Sequence, residues 1–152
     1  MEVTMIEDGK TLVVVADGRR ARLFEEPRRG GALHERQDWL ASAPAYHPGR
    51  AGGHGSVHDR MGHGVHAVAA DTPQDKGEHR FLVDLAHELE VVMRKHDFDR
   101  LAIIAAPKAL GVLRAALPGG LQRKLRETEP ADRVSATVED LTRALQAIRR
   151  GE

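Results

Sequence analysis

Four histidines in a glycine-rich stretch are the first residues in this sequence whose types suggest chemistry. His54, His58, His63 and His66 lie close together, with Asp59 among them. Imidazole nitrogens suit zinc, copper or nickel ions. The spacings match none of the usual zinc-ligand patterns, however. The alternative is a solvated loop with only adventitious affinity for metals, and we favour that alternative, so no cofactor is expected.

Basic side chains offer a second kind of chemistry, which is the binding of an anion or of RNA. Backbone N–H groups of the glycine-rich stretch would support such contacts. Lys and Arg number 23 and Asp and Glu also number 23, so any basic surface must be local. In the alternative interpretation, strand arginines pair with Glu25, Glu26 and Glu35, and both interpretations stay open. The candidate basic residues are Arg19, Arg20, Arg22, Arg50, Arg60 and Lys108.

Carboxylates suggest a third possibility, hydrolysis assisted by two metal ions. That chemistry needs several acidic groups around two divalent cations about 4 Å apart. Asp17, Asp140 and a helix glutamate, either Glu78 or Glu88, are the candidates. Lys108 would place a cation where a further carboxylate is needed. Asp17 is also followed by glycine, which is a strong turn signal, so we favour a turn role for Asp17.

Composition limits the class of protein. The chain of 152 residues is expected to form a single domain over residues 1–152. It has no cysteine, which excludes disulfides and thiolate chemistry. The acidic N-terminus lacks the basic start and apolar run of a signal peptide, and no apolar run reaches the roughly 20 residues needed to cross a bilayer. These features predict a soluble cytoplasmic protein that does not bind membranes.

Three strands are predicted before the glycine-rich loop. Residues 11–16 form a continuous apolar run typical of a strand that is covered on both faces. Asp17-Gly18 predicts a hairpin turn into a second strand over residues 19–26. A third, more polar strand is predicted over residues 32–41, at the edge of the sheet. The glycine-rich loop, which also contains the four histidines and is called the Gly/His loop below, then occupies about residues 42–72.

The second half predicts helices alternating with strands. Thr72, Pro73 and Asp75 form the sequence pattern of a capped helix start, and an apolar stripe continues to Met93. Residues 101–105 predict a buried strand, and Pro107 begins a short helix, with a further helical turn near residues 121–125. Alternation over residues 133–138 predicts the last strand, and a closing helix follows from Leu141 to Ile148.

This order, β-β-β-α-β-α-β-α, predicts an α/β protein. Two hairpins and right-handed crossovers give a mixed five-stranded sheet of the RNase H-like type, with strand order 3-2-1-4-5. Ligands of such sheets bind beyond the carboxyl ends of the parallel strands. Asp17, Lys108, Asp140 and the loop are therefore expected to share one edge of the sheet.

Several segments resemble the bacterial host attachment protein family, whose name denotes a requirement for attachment to host cells. The resemblance covers nearly the whole chain and is carried by residues 14–24, 78–81, 98–107, 110–111 and 139–142. That family is in turn similar to the central RNase H-like domain of archaeal and eukaryotic class 1 peptide release factors. The likeness implies the same fold that the order of elements predicts.

The release factors also imply a site. Their Gly-Gly-Gln loop precedes the long helix and catalyses peptidyl-tRNA hydrolysis on the ribosome. Here the corresponding loop carries Gly52, Gly53 and then His54. The missing glutamine argues against release activity but leaves room for a loop that contacts RNA.

We therefore expect a non-catalytic binding module for RNA, the ribosome or a protein partner. The alternative is a metal-dependent hydrolase that uses the carboxylates or the loop histidines. The oligomeric state stays open. The expected binding residues are Asp17, Arg19, Arg50, Gly52, Gly53, His54, Arg60, Lys108 and Asp140.

Overall fold

A five-stranded mixed sheet forms the centre of the protein. The structure, a computed structural model, describes residues 9–40, 46–47 and 72–152. The strands are β1 (Thr11–Ala16), β2 (Ala21–Glu26), β3 (His34–Glu35), β4 (Arg100–Ala105) and β5 (Leu125–Pro130). The strand order is β3-β2-β1-β4-β5; β1 runs antiparallel to β2 and parallel to β4, and β5 runs parallel to β4. The predicted α/β fold and strand order are thus confirmed.

Helices cover both faces of this sheet. The helices are α1 (Pro73–Lys95), α2 (Pro107–Ala116), α3 (Gly119–Lys124) and α4 (Val138–Arg149), and a 3-10 helix covers Gln37–Leu40. On one face, Leu12 and Val14 of β1 belong to a core shared with α1 and α2. On the other face, Val13 and Val15 belong to a core shared with α4. The described part of the chain therefore has three layers.

The start of α1 follows the predicted pattern. The backbone N–H of Asp75 donates to Oγ1 of Thr72 at 3.0 Å, and the N–H of Thr72 donates to the Asp75 carboxylate at 3.3 Å. Pro73 occupies the first helical position, where a missing N–H costs nothing. This reciprocal capping box fixes the residue at which the chain leaves the loop and becomes helical.

The last strand lies earlier than predicted. β5 is Leu125–Pro130, and the predicted strand over residues 133–138 is wrong. That segment is a connection in which Arg22 donates to the carbonyls of Val134 and Ala136, at 3.0 and 2.7 Å. Val134 is buried, so its apolar alternation reflects packing of the connection rather than pairing in the sheet. Asp140 consequently lies in the first turn of α4 and does not end a strand.

The third strand is also much shorter than predicted. β3 is His34–Glu35, the N–H of Arg36 donates to the carbonyl of Leu23 on β2 at 2.8 Å, and the chain then turns into the 3-10 helix. Trp39, expected on an edge strand, instead stacks on His96 with ring centroids 4.2 Å apart and meets Phe98 edge-on at 5.5 Å. The aromatic contact with the end of α1 replaces strand pairing after Arg36.

A nearly buried ion pair joins three elements on the α4 side. Nη1 and Nη2 of Arg149 donate to the two carboxylate oxygens of Glu26, both at 2.8 Å. Nε of Arg149 donates to Glu127 on β5 at 3.3 Å, and the N–H of Gly30 donates to Glu26 at 2.9 Å. Burial alone would lower the pKa of Arg149, but hydrogen bonds and charge from Glu26 and Glu127 outweigh it, so the pKa is raised. The pair links β2, β5 and α4.

Removing the cation of this pair is expected to destabilise the fold strongly. Arg149→Met leaves the buried Glu26 carboxylate without its cation and removes one of the two arginines that contact Glu127, so the free energy of unfolding should fall by about 3–5 kcal/mol in urea titrations. The matched control is Arg150→Ala, because Arg150 is 58% exposed and pairs with the exposed Glu152. It should leave unfolding close to wild type. Equal effects of the two substitutions would contradict this assignment.

The end of α1 gives a second stability prediction. Asp97 follows the helix with φ 57°, and the N–H of Phe98 donates to the carbonyl of Met93 at 3.0 Å, as in a Schellman motif. Only glycine adopts this left-handed conformation without steric cost. Asp97→Gly should therefore be more stable than Asp97→Ala by about 1 kcal/mol in urea titrations. An alanine variant at least as stable as the glycine variant would contradict the expectation.

Candidate functional site

The carboxyl ends of β1 and β4 lie side by side and open onto a cleft. Ala16 and Ala105 are paired as the last residues of the two parallel strands. A cavity of about 410 Å³ lies beyond them, between the first turns of α1 and α2. We call it the rim cleft. Its apolar lining comes from Leu82, Ala106, Ala109 and Val112, and its charged lining includes Asp75, Glu78 and Lys108.

Asp17 organises the turn that borders this cleft. Its Oδ1 accepts hydrogen bonds from the backbone N–H groups of Arg19 at 2.8 Å and Arg20 at 2.7 Å. Its own N–H donates to the carbonyl of Arg20 at 3.0 Å. A side chain that bonds to the backbone two residues ahead is the usual way in which aspartate stabilises a turn. These contacts support the turn role for Asp17, and they place the start of β2 at Ala21 rather than Arg19.

The β1–β2 turn packs very closely against α1 at Gly18. A Cβ atom added to Gly18 would lie 2.7 Å from the carboxyl carbon of Glu78, which leaves no room for any other residue unless Glu78 moves. Nε of Arg19 also donates to Oε2 of Glu78 at 3.3 Å. The β1–β2 turn and the second turn of α1 are therefore directly linked.

One end of the predicted Gly/His loop lies at the same place. The Arg19 guanidinium stands over the ring of Tyr46, 4.7 Å from its centroid, a cation–π arrangement. Tyr46 also packs against the core on the α1 face. The other end of the loop is Thr72, the cap of α1. Tyr46 and Thr72, the described residues near the two ends of the loop, therefore both lie close to the rim cleft.

The opposite edge of the rim cleft is an ion pair between α1 and α2. Nζ of Lys108 lies 2.9 Å from Oδ1 of Asp75. The hydrogen bond from Lys108, followed by those from Thr72, lowers the pKa of Asp75. Because the folded-state pKa is depressed, this interaction stabilises the folded chain above the ordinary pKa of aspartate and is lost as pH falls through the depressed value.

The structure brings together some of the predicted site residues and separates others. Asp17 and Arg19 share one turn, and Lys108 lies on another edge of the rim cleft. Asp140 belongs to α4, on the other face of the sheet, where it pairs with Arg143, so its predicted position beside Asp17 at the end of a strand is wrong. The predictions on the loop lie outside the described residues: Arg50, Gly52, Gly53, His54, His58, Arg60, His63 and His66.

Arg22 follows the alternative interpretation, in which strand arginines pair with glutamates. Its Nε and Nη2 donate to the two carboxylate oxygens of Glu35 at 3.0 and 2.9 Å. This hydrogen-bonded pairing raises the pKa of Arg22 despite partial burial. Together with its bonds to the carbonyls of residues 134 and 136, the pairing gives Arg22 a structural role.

Metal ligation finds no support in the part of the chain that the structure describes. There, no group of three or more histidine, aspartate or glutamate side chains is arranged to hold an ion. Asp17 and Glu78 instead face Arg20 and Arg19, respectively. Both forms of the metal hypothesis, with carboxylates or with loop histidines, stay predictions.

Two contacts of the site were not predicted. Tyr46 was not singled out, although it is the sole tyrosine of the chain and stands beside a basic turn. The contact between Gly18 and Glu78 is not predicted either, although Glu78 is one of the candidate carboxylates. Gly18 and Glu78 both lie in segments that carry the family resemblance.

Comparison with known families identifies the chain as a bacterial relative of the archaeal and eukaryotic release factors. More particularly, the model of bacterial archaeo-eukaryotic release factor family 12 matches residues 10–145, and the chain belongs to that family. No curated protein matches it. The predicted likeness to release factors is thereby confirmed. None of the described helices is long and apolar enough to span a membrane.

The turn role of Asp17 predicts a clear difference between two substitutions. Asp17→Ala removes the acceptor of two backbone hydrogen bonds and should lower the free energy of unfolding by about 1–2 kcal/mol. Asp17→Asn keeps Oδ1 and should retain most of that stability in the same urea titrations. If asparagine were as damaging as alanine, the charge facing Arg20 would matter more than the turn.

Proposed function

We propose that this protein is a non-catalytic binding module that engages RNA on the ribosome through the rim surface. This surface consists of the turn from Asp17 to Arg20, the start of α1 and the Gly/His loop between them. Membership of a release-factor family supports the proposal, because the corresponding loop of release factors acts at the ribosome.

The observation that carries the proposal is the meeting of the loop with a basic turn. Arg19 contacts both Tyr46, at one end of the loop, and Glu78 on α1. An RNA held by the loop would therefore reach the guanidinium groups of Arg19 and Arg20. The glycines of the loop offer backbone N–H groups for phosphate oxygens, and the arginines add charge.

The arginines at the turn are available for such contacts. The side chains of Arg19 and Arg20 are 53% and 65% exposed, and their ion pairs are 3.3 and 3.8 Å long. Exposed pairs of this kind contribute little stability. A phosphate could replace the carboxylate partner at small cost and would gain a charge-assisted hydrogen bond.

Catalysis is not part of the proposal, because His54 occupies the place of the catalytic glutamine in the resembled release-factor loop. The metal-dependent hydrolase stays the alternative, and nothing in the described ranges 9–40, 46–47 and 72–152 favours it. Attachment to host cells likewise stays a prediction from the resemblance.

The proposal predicts that charge reversal at the turn weakens RNA binding. Arg19→Glu combined with Arg20→Glu should reduce co-sedimentation with purified ribosomes at least tenfold near 100 mM salt. If each arginine contacts one phosphate, filter binding to ribosomal RNA should also show a slope of log affinity against log salt that is shallower by about two. Arg150→Glu is the matched control, because Arg150 is exposed and lies at the far end of α4. It should leave both measurements unchanged.

Two outcomes would overturn the proposal. One is wild-type binding by the folded double variant, verified by its thermal unfolding. The other is stimulated hydrolysis when the purified wild-type protein is mixed with ribosomes that carry peptidyl-tRNA, since that result would make the protein an enzyme.

A further inference from the structure

A second pocket lies beside β2, where that strand leaves the turn from Asp17 to Arg20. Its volume is about 340 Å³, near the lower end of the roughly 300–1,000 Å³ typical of small-molecule sites. We call it the β2 pocket. Its lining combines apolar side chains with arginines: Arg19, Arg20, Ala21, Arg22, Leu40, Phe81, Leu85 and Val134.

The backbone of β2 is open to this pocket at Ala21. The carbonyl of Leu23 accepts from the N–H of Arg36, so the backbone groups of Leu23 face the β3 side of the sheet. Alternate residues of an antiparallel strand face the same neighbour, so the N–H and C=O of Ala21 face that side too. The chain has by then turned into the 3-10 helix, and no other described residue is hydrogen-bonded to these two groups. A backbone donor and a backbone acceptor thus stand side by side in the pocket.

Two guanidinium groups of the lining have unused hydrogen-bond donors. A guanidinium carries five N–H donors. Within the described ranges, the side chain of Arg19 donates one hydrogen bond, from Nε to Glu78. The ion pair of Arg20 with Asp17 is 3.8 Å long, which is too far for a hydrogen bond. Arg22 differs, because a carboxylate and two backbone carbonyls already engage its guanidinium. Arg19 and Arg20 therefore have donors for the oxygens of a phosphate.

The rest of the lining suits a flat, apolar surface. Phe81 and Leu85 are buried on α1, and the half-buried Leu40 packs against the same core. A planar ring already lies at the border of the pocket, because the Arg19 guanidinium stands over the ring of Tyr46. A fitting ligand has an apolar ring, a donor and an acceptor on the edge of that ring, and an anionic group nearby.

A nucleotide of single-stranded RNA has all of these features. Its base is flat, and the Watson–Crick edge of each of the four bases carries a donor next to an acceptor. Proteins recognise single-stranded RNA largely through such unstacked bases. We propose that the β2 pocket holds one unstacked base of an RNA strand, with an adjoining phosphate on Arg19 and Arg20. This inference rests on the proposed function and specifies the form of RNA that the rim surface engages.

An extended acidic peptide fits this pocket less well. A peptide that adds a strand to a sheet bonds to several outward-facing backbone groups along the edge. Here β2 begins at Ala21, and Leu23 already accepts from Arg36. The open edge therefore extends over about one residue, which matches a base rather than a strand.

The test uses the full chain and a fluorescent RNA of about ten nucleotides, either single-stranded or annealed to its complement. The duplex has more phosphates, but its base edges are already paired. Fluorescence anisotropy at one salt concentration should therefore show at least tenfold tighter binding of the single strand.

Ala21→Leu tests the pocket without changing any charge. It adds an apolar side chain to the lining and should weaken binding of the single strand at least tenfold. The slope of log affinity against log salt should not change, because both arginines remain. Gly111→Leu is the matched control: an added Cβ there meets nothing within 4 Å, and binding should stay at the wild-type value. Leu40→Asn makes the lining polar at a second residue and should weaken binding at least threefold. Thermal unfolding verifies that each variant is folded.

The β2 pocket is excluded if single strand and duplex bind equally, or if folded Ala21→Leu binds the single strand as Gly111→Leu does. It is also excluded if a peptide of alternating glutamate and leucine binds, loses affinity on Ala21→Leu and displaces no RNA. Any of these results, combined with weaker ribosome binding by the Arg19→Glu and Arg20→Glu double variant, overturns the pocket and retains the proposed function. Wild-type ribosome binding by that double variant overturns both.

Discussion

Complete burial of β1 is the constraint on which the rest of the structure depends. Each of its residues, from Thr11 to Ala16, is inaccessible to solvent, because strands flank it on both edges and helices cover both faces. Such a strand needs two helical layers and a parallel neighbour reached by a crossover. That requirement places α1 between β3 and β4 in the chain, and it brings the ends of β1 and β4 to one edge. The rim surface is built on that edge.

Local signals that agree with the tertiary environment made much of the fold predictable. The apolar runs of β1 and β4 and the capping box of α1 are examples, because each segment adopts in the protein the structure that its own sequence favours. β5 is the opposite case. Its sequence, Leu-Arg-Glu-Thr-Glu-Pro, has little strand propensity, and Glu127 and Glu129 are partnered by arginines. A charged edge strand of this kind is recognisable only once its neighbours are known.

The same distinction between local and long-range interactions applies to the candidate site. The turn at Asp17 depends on adjacent residues, and the sequence indicated it correctly. The contacts of Arg19 with Tyr46 and Glu78 join residues far apart in the chain, so no local pattern indicates them. The expected position of Asp140 depended on the position of the last strand. Because that strand was predicted too late in the chain, Asp140 was expected at the end of a strand, whereas it lies on α4.

Gly18 determines how closely the turn approaches the Glu78 carboxylate. A Cβ atom at this position would lie 2.7 Å from the Glu78 carboxyl carbon, so any other residue would require the Glu78 side chain to turn aside. That movement would withdraw Oε2 of Glu78 from Nε of Arg19. The guanidinium that stands over Tyr46 therefore keeps its anionic partner on α1 because the residue beside it has no side chain.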